Sequence, residues 1–148
     1  MDSESPQGAN DAERDRLLKD YDSVIRESAL LTTFTGILFG FLLTISVEAA
    51  NEFSAIDRIT VLAALFSNSV AISLFVLPVL YHHIQFPYSD VEKFKLRVHR
   101  FMMFGFIPTG ATLYLCLALS LSSVIGEFAF LLAAAPFVLV YVLFLKRK

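Results

Sequence analysis

The stretch ALLTTFTGILFGFLLTISV, at residues 29–47, decides the fold of this chain. It holds no Asp, Glu, Lys, Arg or His. As a helix, its nineteen residues extend about 28 Å, close to the roughly 30 Å of a bilayer core. Three similar apolar runs follow, at about residues 59–81, 101–122 and 128–145. The four runs predict an all-α fold, an integral membrane four-helix bundle.

The basic residues predict the orientation of these spans. Eleven of the twelve Lys and Arg residues lie before the first run, between the second and third, or after the fourth, and Arg58 is the exception. Because the cytoplasmic connections of membrane proteins are enriched in Lys and Arg, we expect a multi-pass protein of the cell membrane with both termini in the cytoplasm. Its expected partners are the lipid bilayer and a second copy or a larger membrane complex. No nucleic acid is expected.

The composition leaves room for one membrane domain and a short N-terminal extension. The chain has 148 residues, 56% of them hydrophobic, and a mean hydropathy of +0.65, which is too apolar for an ordinary soluble domain. Residues 1–10 are small and polar and are predicted to be a disordered tail. Residues 11–28 are predicted to form a cytoplasmic amphipathic helix, ahead of the membrane domain at 29–148. The pattern leaves open whether this helix continues the first span, lies on the membrane or packs on the bundle.

Small residues recur every four positions along the first span, at Thr32, Gly36, Gly40 and Thr44. The GILFG sequence within them is a small-xxx-small motif, which lets two helix backbones approach closely. One interpretation is packing inside the bundle, which the frequency of this motif favours. The other is pairing with a second copy or with a partner subunit.

Polar side chains at membrane depth occur on the second and third spans. Asn68 and the nearby Ser69 and Ser73 belong to the second, and Thr109 and Thr112 to the third. Because an amide in hydrocarbon needs partners, Asn68 is expected to face the bundle or a cavity. These groups are therefore candidates for interhelix hydrogen bonds or for a polar path across the membrane.

The third span also carries a candidate hinge. Pro108 lies between Gly105 and Gly110, and a proline inside a helix removes one backbone hydrogen bond. Proline is also common in membrane helices, where it often only shapes the packing.

The sequence shows no assembled catalytic or cofactor-binding motif. It has no phosphate-binding glycine loop and no arrangement of Ser, His and acid that suggests nucleophilic catalysis. His82, His83 and His99 lie near the predicted membrane surface, but adjacent histidines point in different directions on a helix, so no metal site is predicted. We therefore expect a protein that is not an enzyme and has no cofactor.

Several segments resemble an uncharacterised family of small four-helix membrane proteins, a domain of unknown function from actinobacteria and haloarchaea. They are FGFLLT at 39–44, FSAIDR at 53–58, LPVLYHH at 77–83 and EKFKLRVHR at 92–100. The resemblance covers roughly residues 17–145. It implies the four-helix fold and supplies no mechanism.

Two functions remain from the sequence. The preferred one is a non-enzymatic structural or accessory membrane protein that associates through small-residue helix faces. The alternative is an ion or small-solute transporter or channel that acts as a homo-oligomer. A continuous hydrated cavity lined by the polar residues of the second and third spans would favour transport, and their burial in helix contacts would favour the accessory role.

Overall fold

The computed structural model describes residues 6–48, 51, 53–85 and 91–146, and this part of the chain is helical with no strand. The elements in chain order are α1 (Pro6–Glu48), α2 (Ala55–Gln85), α3 (Val91–Ile125), a 3-10 turn (Gly126–Phe128), α4 (Ala129–Ala133) and α5 (Ala135–Lys146). The predicted all-α class is confirmed.

The first helix is longer than the sequence suggested. α1 runs through 43 residues, about 64 Å, so the predicted amphipathic helix at 11–28 and the predicted span at 29–47 form one helix. Neither Gly nor Pro interrupts residues 11–35, which explains the continuity. α1 begins at Pro6, within the segment 1–10 that was predicted to be a disordered tail, and proline suits the first turn of a helix. Residues 1–5 of that predicted tail lie outside the described part of the chain.

The second helix begins at a reciprocal cap. The Ser54 hydroxyl accepts the Asp57 backbone N–H at 3.2 Å, and Asp57 Oδ2 accepts the Ser54 backbone N–H at 3.2 Å and its hydroxyl at 2.7 Å. These bonds satisfy donors that the first turn of a helix leaves without partners. α2 then continues through Pro78 to Gln85, beyond the predicted end of the span at 81.

The chain after α3 is not the single helix expected at 128–145. α3 ends at Ile125, and the next residue, Gly126, has a φ of +63°, a backbone conformation that glycine adopts without steric cost. A second break separates α4 from α5 at Ala134, two residues before Pro136. Proline disfavours a helical conformation in the residue before it and removes a backbone donor, which accounts for the break.

Most of the buried side chains lie where α1, α2 and α3 meet, and Ala129 and Ala133 of α4 are buried as well. α1 contributes Ser28, Thr35 and Leu42, which are seven residues apart and therefore share one face. At the end of the molecule where α3 begins, Phe94, Val98 and Met102 form an apolar cluster, against which Val24, Leu31 and Tyr81 pack. Tyr81 stacks on Phe94 with ring centroids 5.4 Å apart, and the Arg97 guanidinium lies 5.7 Å from the Tyr81 ring centre.

The outward surface of the helices is apolar. Large side chains more than half exposed include Ile37, Phe41, Leu62, Phe66 and Ile107. By length and composition, three described segments suit a membrane crossing: Asp22–Glu48, Ala55–Tyr81 and Leu96–Lys146. The last contains both the predicted third span and the predicted fourth. These segments suggest a membrane protein.

Candidate functional site

Asn68 joins α1 to α2 at the middle of the buried interface. Its side chain is fully buried, and Nδ2 donates a hydrogen bond to the Thr35 carbonyl of α1 at 2.8 Å. The Thr35 side chain is also fully buried, and its hydroxyl donates to the Leu31 carbonyl at 2.7 Å. Asn68 Oδ1 is buried and accepts no hydrogen bond from the described residues. The Nδ2 group of Asn68 therefore links α2 to α1, whereas its Oδ1 atom has no donor among the described residues.

A second polar link between α1 and α2 forms near Pro78. The fully buried Ser28 hydroxyl donates to the Phe75 carbonyl at 2.5 Å. Phe75 lies three residues before Pro78, within the turn that the proline ring perturbs. A hydroxyl from the neighbouring helix thus satisfies a carbonyl in the weakened turn.

Hydroxyl groups also surround Pro108 on α3. The Pro108 carbonyl accepts a bond from Thr112 on its own helix and one from Ser67 on α2, both at 2.9 Å. The Thr109 hydroxyl donates to the Gly105 carbonyl at 2.8 Å. Both threonine side chains are buried. Their hydrogen bonds go to backbone carbonyls, as is common for Ser and Thr in membrane helices.

The five residues of the predicted polar path do not share one surface. Asn68, Thr109 and Thr112 are buried, whereas Ser69 and Ser73 are exposed on the outside of α2. These two serine hydroxyls donate to the carbonyls four residues earlier, at 2.9 Å each. The described contacts divide the group into a buried polar cluster and an outward pair.

Gly105 lies where α3 packs tightly against α2. A Cβ atom at this position would lie 2.4 Å from Phe75 Cε1, far inside the usual 3.5–4.0 Å contact between carbon atoms. Phe75 is fully buried and also meets Phe106 edge to face, with ring centroids 5.8 Å apart. The lack of a side chain at Gly105 therefore leaves the space that the Phe75 ring occupies.

The predicted hinge at Gly105, Pro108 and Gly110 lies inside an uninterrupted helix. α3 continues through all three residues. A Cβ at Gly110 would be an ordinary 4.0 Å from Phe137 Cε1, so only Gly105 is sterically required to be glycine. The structure thus gives Gly105 a packing role, and the hinge stays a prediction.

The small residues of α1 do not all lie on one side of the helix, and the choice between packing inside the bundle and pairing with a second copy stays a prediction. Thr32 is half-buried, but Gly36, Gly40 and Thr44 are exposed, and a Cβ at either glycine would have no side chain or neighbouring helix within 4 Å. The reason is geometric, since each step of four residues advances 40° around a helix of 3.6 residues per turn. A row at that spacing winds from the buried side to the open side.

One outward row on α1 consists of small residues, and we call it the glycine face. Its members are Ala29, Thr33, Gly36, Gly40 and Thr44, all exposed. The Thr33 hydroxyl donates to the Ala29 carbonyl at 2.9 Å, and the Thr44 hydroxyl to the Gly40 carbonyl at 3.1 Å. The face is therefore narrow and smooth, with its hydroxyl hydrogens already bonded to α1 itself.

The histidines noted in the sequence do not assemble into a ligand set within the described chain. Among those residues, no group of three His, Cys, Asp or Glu side chains has the arrangement of a metal site. Asp90 lies outside the described residues.

The sequence interpretation missed Ser28, Thr35 and Ser67. Ser28 and Thr35 stand seven residues apart and seven before Leu42, so heptad spacing on α1 was the available signal. Ser67 could be recognised only from the fold, because its acceptor is on another helix, 41 residues away in sequence.

Comparison with known proteins places the chain in one family. Residues 10–146 match the model of a family described as "Family of unknown function (DUF6328)". The match covers nearly the whole chain, so the protein belongs to this family, and the resemblance to an uncharacterised family is confirmed. No curated protein and no solved structure matches the chain.

Proposed function

We propose that this protein is a small non-enzymatic membrane protein that crosses the bilayer four times and acts as a structural or accessory subunit, associating with a second copy through the glycine face of α1. The observation that carries this proposal is the exposure of Gly36 and Gly40, with space where a Cβ would stand. In lipid, such backbone exposure lets a second helix pack closely.

The fourth crossing in this proposal consists of α4 and α5 together. The Tyr114 hydroxyl of α3 donates to the Phe130 carbonyl at 3.0 Å, and its ring meets Phe137 of α5 edge to face at 6.1 Å. These contacts hold the first part of the proposed crossing, as far as Phe137, against α3, and the eighteen residues 129–146 would extend about 27 Å as a helix. The break at Ala134 is a bend within this crossing.

The charge distribution supports an orientation with both termini in the cytoplasm. Arg26 and Arg97 lie near the apolar cluster at one end of the molecule. In the proposed fourth crossing, Lys146 lies toward the same end. Arg58 lies at the opposite end, where α2 begins. Under the positive-inside rule, the end that carries Arg26 and Arg97 faces the cytoplasm, and the proposed location of the protein is the cell membrane.

The buried polar cluster supports a packing role over a transport path. Asn68, Thr109 and Thr112 are buried, and within the described residues they donate hydrogen bonds to backbone carbonyls. A hydrated path would require these groups to face a continuous water-filled space. The acceptor at Asn68 Oδ1 is the observation that favours the alternative, because an ion or water path needs such a group.

The test is the mass of the purified full-length chain in mild detergent, measured by light scattering after gel filtration. We expect a protein mass of twice 16.5 kDa for the wild type. Gly36→Leu and Gly40→Leu place bulk on the glycine face and should give the monomer. Ala63→Leu adds similar bulk at an exposed position of α2 and should leave the dimer intact.

Two results would contradict the proposal. One is a wild-type monomer that conducts ions when reconstituted in liposomes, which would establish the transport alternative. The other is a dimer whose mass is unchanged in both glycine variants, which would exclude this face as the contact.

A further inference from the structure

A cleft of about 420 Å³ opens at the end of the molecule opposite the apolar cluster. One wall comes from the start of α2 and the residues before it, including Phe53 and Asp57, and the other from the end of α3 and the turn after it, including Ser122, Glu127 and Phe130. Pockets for small molecules commonly measure about 300–1,000 Å³. The cleft is therefore large enough for a small organic ligand.

The ionisable side chains that line this cleft are both acids. Asp57 is half-buried, and its Oδ2 accepts the two bonds of the α2 cap, while Oδ1 accepts none from the described residues. Glu127 is exposed in the 3-10 turn. Arg58 is not among the residues lining this cleft: its Nε donates to the Phe53 carbonyl at 3.2 Å, and its side chain lines a neighbouring cleft with Val61.

The serine hydroxyls around the cleft have already used their hydrogens. Ser54 donates to Asp57, Ser122 to the Leu119 carbonyl at 2.7 Å, and Ser123 to the Ser120 carbonyl at 3.0 Å. Each hydroxyl oxygen can therefore only accept a further hydrogen bond. These side chains present carboxylates and lone pairs to a ligand, which suits a positively charged group.

Two phenyl rings complete the wall. Phe53 and Phe130 both line the cleft and are half-buried. Phenyl faces attract ammonium groups, and combinations of aromatic rings and acids bind quaternary ammonium ions. The rings also provide apolar surface for the substituents that such ions carry.

From the two acids, the serine hydroxyls whose hydrogens are already bonded and the two rings, we infer that this cleft binds a small organic cation, a substituted ammonium ion with an apolar group. Under the orientation proposed above, on which only this point rests, the cation enters from the extracytoplasmic side. The site is separate from the glycine face, and binding does not depend on self-association.

The experiment uses equilibrium dialysis of radiolabelled benzyltrimethylammonium against the full-length protein in an uncharged maltoside detergent. We expect saturable binding of one cation per chain. Radiolabelled benzenesulfonate, which has the same ring and the opposite charge, should show none. Equal binding of both compounds, or no saturable binding of the cation to folded protein, would overturn the inference.

Variants of the two acids test whether their charges cause the binding. Asp57→Asn retains an acceptor for the α2 cap, and Glu127→Gln retains the shape of the side chain. Each should weaken binding by up to about fivefold, as expected for a partly exposed ion pair, and the double variant by about tenfold or more. Phe53→Leu keeps both charges and should also weaken binding, since it removes a ring.

The matched control is Glu48→Gln. Glu48 ends α1 at the same end of the molecule and is not among the residues lining the cleft. Its variant should bind the cation as the wild type does. A loss equal to that of Asp57→Asn would show that only the general charge of this end matters, and would refute the assignment of the site. Unchanged circular dichroism and elution volume verify the fold of each variant.

Discussion

Replacing Gly105 with alanine should destabilise the contact between α2 and α3. The new Cβ would stand 2.4 Å from Cε1 and 2.9 Å from both Cδ1 and Cζ of Phe75. Ordinary carbon contacts are about 3.5–4.0 Å, so the ring or the helix must move by roughly 1 Å. The ring has little room to move, because it is fully buried and packs on Phe106.

The expected loss is about 1–2 kcal/mol of unfolding free energy. Overpacking of a buried site costs about 1–3 kcal/mol, whereas exchanging glycine for alanine inside a helix gains up to about 1 kcal/mol. The steric term is the larger of the two. For a chain of this size, the net loss corresponds to an apparent Tm lower by about 2–8 °C.

The assay is thermal unfolding in detergent, followed with a maleimide dye that fluoresces on reaction with Cys116. This free thiol is half-buried in the folded chain. Gly110→Ala is the matched control, because its Cβ would meet Phe137 at an ordinary 4.0 Å, and its Tm should not fall. Adding Phe75→Leu to Gly105→Ala should recover part of the loss. A Tm for Gly105→Ala at or above that of the wild type would refute the reasoning.

Three other predictions follow from the buried polar groups and the proposed orientation. Ser28→Ala removes the donor to the Phe75 carbonyl and should cost about 1–2 kcal/mol, measured as a lower Tm in the same assay. Asn68→Leu should change stability by less than about 1 kcal/mol, because it loses one hydrogen bond but also removes a buried acceptor that lacks a donor. In a chain whose native cysteine is replaced by serine, Ser54→Cys should react with a membrane-impermeant maleimide added to intact cells, and His99→Cys should react only after lysis.

Controls and contrary outcomes differ among these three. Ser73→Ala changes a serine at an exposed position and should alter the free energy of unfolding by no more than about 0.5 kcal/mol. If it costs as much stability as Ser28→Ala, the hydrogen bond from Ser28 to Phe75 has no special role. A loss of several kcal/mol in Asn68→Leu would mean that Oδ1 holds a bound group. Labelling of His99→Cys in intact cells would reverse the proposed orientation.

The sequence was sufficient to predict the all-α class and the membrane character, because apolar length and charge placement are local properties. The sequence did not predict that α1 would run without a break from Pro6. The change from a polar segment to an apolar run suggests a boundary between two elements, but a helix can continue through such a change.

The features that the sequence left open depend on how helices meet. The spacing of Gly36 and Gly40 suggested a contact but could not indicate whether α2 or open space lies opposite, and the structure places open space there. Likewise, Gly105 looked like a hinge beside Pro108, and only the position of the Phe75 ring on another helix revealed a steric role. Contacts between distant residues are not encoded in local periodicity.

The central claim is that two copies of the chain meet through the glycine face, and disulfide crosslinking in native membranes tests it most directly. Thr33→Cys, in the chain with Cys116→Ser, places a thiol one turn before Gly36 and leaves both glycines intact. A disulfide requires Cβ atoms about 3.5–4.5 Å apart, so it forms only if the faces meet closely. We predict an oxidised species of twice the 16.5 kDa chain mass that disappears when Gly40→Leu is added and persists when Ala63→Leu is added. No crosslinked species, or one that survives Gly40→Leu, would contradict the account.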